Sequence, residues 1–167
     1  IQGASAMVAG SDVVTKRVLE AGSPSLKIVA KQGVGYNTID VETAKQLGIA
    51  VTITPGANSK SVADLTMGLI LAAARNIAGM DRAIRKGEWY RHTGVELNSR
   101  VLGIVGTGHI GQEVAKRAVA FGMSLIAYDT CPRQELVDQY AIRYVELDEL
   151  FATADFVSLH APALVST

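Results

Sequence analysis

Val101-Leu102-Gly103-Ile104-Val105-Gly106-Thr107-Gly108-His109-Ile110-Gly111 is the stretch whose reading decides the fold. An apolar run of strand type, 101–105, empties into a Gly-x-Gly-x-x-Gly turn, and a helical pattern over 110–121 leaves it. A second apolar run, 125–128, ends on Asp129. Each part answers a physical need of a bound dinucleotide. Glycines let the backbone turn tightly and approach a pyrophosphate, and a helix N-terminus offers unpaired N–H groups and a positive dipole end. An acidic residue about 20 residues beyond the turn accepts hydrogen bonds from ribose hydroxyls and repels a 2′-phosphate. A glycine turn alone would be weak evidence. Strand, turn, helix, strand and acid in that order point to NAD. Arg133 stands near enough to favour a 2′-phosphate, but the carboxylate of Asp129 opposes it, so NAD is preferred to NADP.

Working outward, the same alternation recurs. Downstream, strands are expected over 142–145 and 156–160, with helices over 133–140 and 147–153. Upstream, 6–9 reads as a strand, and Ser11 caps a helix over 12–21 that stops at Gly22. A strand over 26–30 runs into the turn Gly33-Val34-Gly35. Asp40 caps a short helix ending at Gly48, and 49–53 is a β-branched strand. Pro55-Gly56-Ala57-Asn58 then breaks the pattern. The longest helix is expected over 61–85, with Ser61 and Asp64 as a capping box; its apolar centre predicts burial on several sides. Gly87 ends it, and a polar connector carrying Trp89 and Tyr90 leads to Val101. Two αβ blocks around a Pro-Gly hinge suggest two lobes.

Composition narrows the function classes. Lys and Arg number 16, as do Asp and Glu, so no net field favours nucleic acid or a membrane surface. The apolar run 65–74 is about half the roughly 20 residues a membrane helix needs. The single Cys131 excludes an internal disulfide and a cysteine-based zinc site, and fits a reducing, cytoplasmic setting. No metal site is expected. A small-molecule protein is the class that remains.

These motifs, taken together, resemble the D-isomer-specific 2-hydroxyacid dehydrogenases, most nearly their D-3-phosphoglycerate dehydrogenase branch. Leu26-Lys27-Ile28-Val29 leading to Gly33-Val34-Gly35-Tyr36-Asn37-Thr38-Ile39-Asp40 resembles the family's substrate loop. Pro55-Gly56-Ala57-Asn58-Ser59 resembles its hinge, Ser61-Val62-Ala63-Asp64 the start of its long helix, and Gly87-Glu88-Trp89 its connector. Gly106-Thr107-Gly108-His109-Ile110-Gly111 and Ala154-Asp155-Phe156-Val157-Ser158-Leu159-His160-Ala161-Pro162 complete the run. Asn37-Thr38 stands where many members have Asp-Asn.

The resemblance implies an α/β chain of two lobes. Residues 1–54 would be part of a flavodoxin-like substrate lobe. Residues 55–167 would be part of a Rossmann lobe with a doubly wound parallel sheet, including a long interface helix over about 61–85. It implies that Val34 and Gly35 hold the substrate carboxylate through backbone N–H groups, and that Val34 touches the nicotinamide. Gly106, Gly108, Gly111, His109 and Ile110 would lie at the pyrophosphate, Asp129 at the ribose, and His160, Ala161 and Pro162 beneath the cofactor. The long helix and Trp89 would lie in the contact of a homodimer or homotetramer. The family's catalytic Arg, Glu and His match no residue present here, so the chain is expected to be an internal stretch of such an enzyme with no catalytic residue of its own.

The activity implied is hydride transfer between C2 of a small 2-hydroxy or 2-keto acid and NAD, with 3-phospho-D-glycerate as first substrate and serine synthesis as its setting. Glyoxylate or hydroxypyruvate reduction and D-lactate formation are the alternatives. An NAD-sensing, non-catalytic module of corepressor type is the alternative from another class.

Overall fold

The computed structural model describes residues 1–161. The chain divides into two compact units, Ile1–Asn58 and Ser59–Thr167.

The first unit is a three-stranded parallel sheet, β1 (Ala6–Ala9), β2 (Ile28–Lys31) and β3 (Ala50–Thr52), in that spatial order. Helices α1 (Lys16–Gly22) and α2 (Val41–Gln46) cross between the strands and pack on each other. Adding each strand beside the last with right-handed crossovers puts both helices on one sheet face. Val14, Leu19, Leu26, Val29, Ile39, Ala44 and Ile49 form the core beneath them. Asp40 caps α2 as the sequence predicts, its carboxylate accepting from the Thr43 N–H (2.9 Å) and hydroxyl (2.8 Å).

α1 starts later than predicted, and its N-cap is Thr15, not Ser11. Val14 is taken up in a parallel bridge with Ile39: its N–H donates to the Thr38 carbonyl and its carbonyl accepts from the Asp40 N–H. The β-branched run Val13-Val14-Thr15 suits that extended pairing better than a helix.

The second unit opens with α3 (Ser59–Ala74) and α4 (Ile77–Arg85). The single helix predicted over 61–85 is therefore two, meeting at 65°. Asn76 between them is left-handed (φ 49°), a conformation Asn accepts at low cost. Ser61 lies inside α3, so the expected capping box does not form; Asp64 instead pairs with Arg117 at 2.6 Å. Burial is also one-sided: Ala63, Met67, Ile70 and Ala74 enter the core, while Leu65 and Leu69 are more than 60% exposed (62% and 61%). Among the described residues no single helix is long and apolar enough to cross a membrane.

The remainder is β4 (Val101–Val105), α5 (His109–Ala120), β5 (Ser124–Tyr128), α6 (Gln134–Tyr140), β6 (Arg143–Tyr144), α7 (Leu147–Thr153) and β7 (Phe156–Leu159). The strands form one parallel sheet in the order β6-β5-β4-β7. The order runs outward from β4 in one direction and then reverses to place β7 on its other side. That reversal is the topological switch point at which open α/β sheets bind ligands, beyond the C-terminal strand ends. Helix α5 packs against α3 over Leu102, Ile104, Val114 and Ala118, which are fully buried.

Candidate cofactor site

The switch point is occupied by the glycine turn. β4 ends at Val105, whose carbonyl accepts from the His160 N–H (2.7 Å), so the ends of β4 and β7 lie side by side. Gly106 follows with φ 92°. A Cβ there would come within 2.8 Å of the His160 backbone, so only glycine fits both the conformation and the space. Gly111 is closed for another reason: a Cβ would clash with the carbonyl oxygen of Gly106, so its absence is what lets α5 start hard against the turn. Gly108, by contrast, has ordinary backbone angles (φ −66°), and a Cβ placed on it meets nothing within 4 Å among the described residues. Two of the glycines serve the protein's own packing. The third leaves the approach from outside clear.

Gly108 is the N-cap of α5 and offers no side chain to the helix start. Among the described residues the N–H groups of Gly108, His109 and Ile110 have no acceptor. Those free donors and the helix dipole make an anion site of the kind that holds phosphate. The His109 side chain is exposed, so its contribution is through the backbone.

Asp129, just past the end of β5, is turned back onto this turn. Its Oδ2 accepts from the Thr107 N–H (2.6 Å) and hydroxyl (2.8 Å), and its Oδ1 from the Cys131 N–H (2.9 Å). Partial burial alone would raise its pKa. The donors from Cys131 and Thr107, with the charge of Arg133, outweigh burial and hold the carboxyl below the usual carboxylate range. Asp129 is therefore an anion at neutral pH, oriented by the turn.

Thr107, Tyr144 and Gln112 are residues the sequence reading did not single out. Thr107 is 1% exposed, so its hydroxyl must find partners inside the protein. It donates to Asp129 and accepts from the Tyr144 hydroxyl (3.0 Å), which itself accepts from the Arg133 N–H (3.2 Å). The Gln112 amide donates to the Thr107 carbonyl (3.1 Å). A hydroxyl between two glycines is the only sequence signal for this arrangement. Tyr144 enters through the register of β6, which no local pattern reveals.

His160 is half-buried, with Nε2 2.8 Å from Ser158 Oγ. Burial pushes its pKa down, so the ring is neutral at neutral pH. Ala161 is exposed beside it, and Pro162 lies outside the described residues. The structure thus brings Gly106, Gly108, His109, Ile110, Gly111, Asp129, His160 and Ala161 to one end of one sheet. A groove of about 410 Å³, lined by Ala73, His92, Arg100 and Asp155 among others, opens where β4 and β7 begin, and none of these residues is in it.

Val34 and Gly35 belong to the first unit, in the loop after β2. Thr54 pins the loop: its N–H donates to the Gly33 carbonyl (2.9 Å), and its hydroxyl accepts from the Gly33 N–H (3.1 Å). Val34 and Gly35 are exposed, and their N–H groups have no acceptor among the described residues. At the end of β2, Lys31 is buried and donates to the Gly10 carbonyl.

Comparison with known proteins decides what this arrangement belongs to. Residues 67–167 match the model of the "D-isomer specific 2-hydroxyacid dehydrogenase, NAD binding domain". The chain belongs to the D-isomer-specific 2-hydroxyacid dehydrogenase family. Its members are NAD-dependent oxidoreductases acting on CH–OH donors, and the part of the chain with the glycine turn is their NAD-binding domain. A hydroxypyruvate reductase of Thermotoga maritima is 48% identical over 164 residues, covering 96% of this chain and 52% of its own length. A D-3-phosphoglycerate dehydrogenase of Methanocaldococcus jannaschii is 45% identical, covering 92% of this chain and 30% of its own. The crystal structure of a D-lactate dehydrogenase from Aquifex aeolicus, complexed with NAD and lactic acid, superimposes with a TM-score of 0.87 at 32% identity, over 98% of this chain and 50% of that one. The chain spans about half the length of the Thermotoga relative and less than a third of the Methanocaldococcus one.

The residues present fit the cofactor. Gly108 would leave room for a pyrophosphate to approach, the start of α5 has free donors for it, and Asp129 keeps acceptor capacity on Oδ1 that ribose hydroxyls could use.

Proposed function

We propose that the protein to which this chain belongs moves a hydride between C2 of a short 2-hydroxy acid and NAD. The observation that carries this reading is Asp129, held as an anion beside a helix start with free N–H groups, in a chain of this family. NAD, when bound, takes up or returns the hydride; the residues described here bind and orient it. In this reading Gly106, Gly108, His109, Ile110 and Gly111 form the pyrophosphate seat, and Asp129 accepts from the ribose. His160, Ala161 and Pro162 lie under the cofactor. Val34 and Gly35 hold the substrate carboxylate through their N–H groups, a backbone anion site at a glycine turn.

For the substrate we take 3-phospho-D-glycerate first, placing the enzyme at the entry to serine synthesis in the cytoplasm; the Methanocaldococcus relative supports this. Reduction of hydroxypyruvate is the second reading, favoured by the higher identity to the Thermotoga enzyme. The assembly we infer is a homodimer or homotetramer formed through α3, supported by the exposure of Leu65, Leu69 and Trp89.

The test uses the full-length protein. NADH and NADPH affinities are measured by fluorescence titration, and kcat/KM is compared for 3-phosphoglycerate oxidation and for hydroxypyruvate, glyoxylate and pyruvate reduction. NADH binding with turnover of a three-carbon acid is expected. Tight NADH binding without turnover of any of them would identify a sensing module instead. Failure to bind NADH removes the reading.

A further inference from the structure

The donors around Asp129 form a chain with one direction. A carboxylate can only accept, so the single hydroxyl proton of Thr107 points to Asp129 Oδ2. The Thr107 oxygen must then accept, and its donor is the Tyr144 hydroxyl. With its own proton committed, the Tyr144 oxygen accepts from the Arg133 N–H. The sequence Arg133 N–H, Tyr144 O–H, Thr107 O–H, Asp129 thus links β6, the glycine turn, the end of β5 and the start of α6. All of its donors point toward the carboxylate.

This bears on cofactor choice. An aspartate at a ribose can admit a 2′-phosphate in two ways: by taking a proton, or by rotating its carboxylate away. Oδ2 already receives two donors from Thr107, so only Oδ1, which carries the single Cys131 N–H, could take a proton, and three donors to the ionised carboxylate favour the anion. Rotation would break those bonds and the one from the Cys131 N–H to Oδ1. The third route to a 2′-phosphate is a nearby arginine. Arg133 is exposed and adjacent, but its backbone is tied to the Tyr144 hydroxyl.

Accepting the reading of Asp129 as the ribose partner, we propose that Thr107 and Tyr144 are positioning residues for cofactor selectivity. They lock Asp129 in place as an anion and restrain the Arg133 segment, so that NADP is refused. Tyr144 also packs against the core, so its ring and its hydroxyl have separable roles.

The test is NADH and NADPH affinity of the full-length protein, measured by fluorescence titration for Tyr144→Phe, Thr107→Val, Thr107→Ser, Asp129→Asn and the double variant Tyr144→Phe/Asp129→Asn. Phe keeps the ring and removes only the hydroxyl. One hydrogen bond to a charged partner's network corresponds to about 3- to 10-fold in affinity. Tyr144→Phe should therefore weaken NADH by that factor without weakening NADPH, narrowing the NADH preference. Thr107→Val should narrow it further, and Thr107→Ser, which keeps the hydroxyl, should restore it. In the Asp129→Asn background, Tyr144→Phe should change the ratio by less than twofold, because its effect passes through Asp129. A preference unchanged by Tyr144→Phe, or changed equally with and without Asp129, overturns the relay and leaves the ribose role of Asp129 standing. A preference unchanged by Asp129→Asn overturns that role and the relay with it.

Discussion

The turn after β4 and the loop after β2 are both glycine turns at the C-terminal ends of parallel strands, yet they are held in opposite ways. The turn after β4 is fixed by side chains: Thr107 is buried, Asp129 and Tyr144 reach it from two other strands, and two of its glycines are needed by neighbouring backbone. In the loop after β2 the glycine turn is tied by Thr54 and the far end by backbone pairing with Val14, while Val34 and Gly35 between them stay exposed. On the proposed reading, the turn that would recognise one invariant group, a pyrophosphate and its ribose, is preorganised by several elements at once. The loop that would present bare N–H groups to a small carboxylate needs only its backbone shape. Cofactor selectivity would then be written in side chains, and anion binding by the loop in chain geometry.

That contrast breaks most easily at the glycines. Gly106→Ala forces a side chain into a left-handed backbone against the His160 backbone, and Gly111→Ala drives a methyl into the Gly106 carbonyl. Each should cost about 3 kcal/mol or more, seen as a large drop in the thermal midpoint of the full-length protein together with loss of NADH binding. Native-like stability in either variant would mean that the turn is not packed as described.

An intermediate effect concerns acid. The pKa of Asp129 is lowered in the folded chain, so its charge and the stability linked to it are complete above the ordinary carboxylate pKa of about 3.9. They are lost only as pH falls through the lower, folded value. NADH affinity limited by this group should stay level from pH 7 down to about 5. A fall over that interval, measured by titration at constant ionic strength, would contradict an anion locked by the turn.

The smallest effect belongs to the other loop. Thr54→Val removes the hydroxyl contact to Gly33 but keeps the backbone bond, a change of about 0.5–1 kcal/mol at an exposed site. KM for the acid should rise severalfold while NADH affinity is unchanged. Equal changes in both would mean that the loop serves the cofactor rather than the acid.

How much of this was legible in the sequence follows the same division. The βαβ order around the turn and the acid at its end are local signals, because each residue's role depends on its own neighbours in the chain. The cap at Asp40 is local too. The break between α3 and α4 was also announced, by an Asn beside an arginine, but an apolar run on both sides masked it. The start of α1 was misread because Val14 is claimed by Ile39, a pairing between segments that no local helical pattern can anticipate. Burial of α3 was overestimated because hydrophobicity says that a face wants cover, not that this chain supplies it; Leu65 and Leu69 remain exposed. Tyr144 was invisible because its partner, Thr107, reaches it through sheet register.

Gly108 tests the central claim most directly, because it separates the protein's own needs from those of its cofactor. Gly108→Ala places a methyl where nothing lies within 4 Å among the described residues and where backbone angles are ordinary. A thermal midpoint within about 4 °C of the parent, the loss expected for Ala at an N-cap, with NADH affinity lowered about tenfold or more, is the predicted result for the full-length protein. Unchanged NADH affinity in a normally folded Gly108→Ala protein would contradict the account, since the open side of the turn would then not be where the pyrophosphate lies.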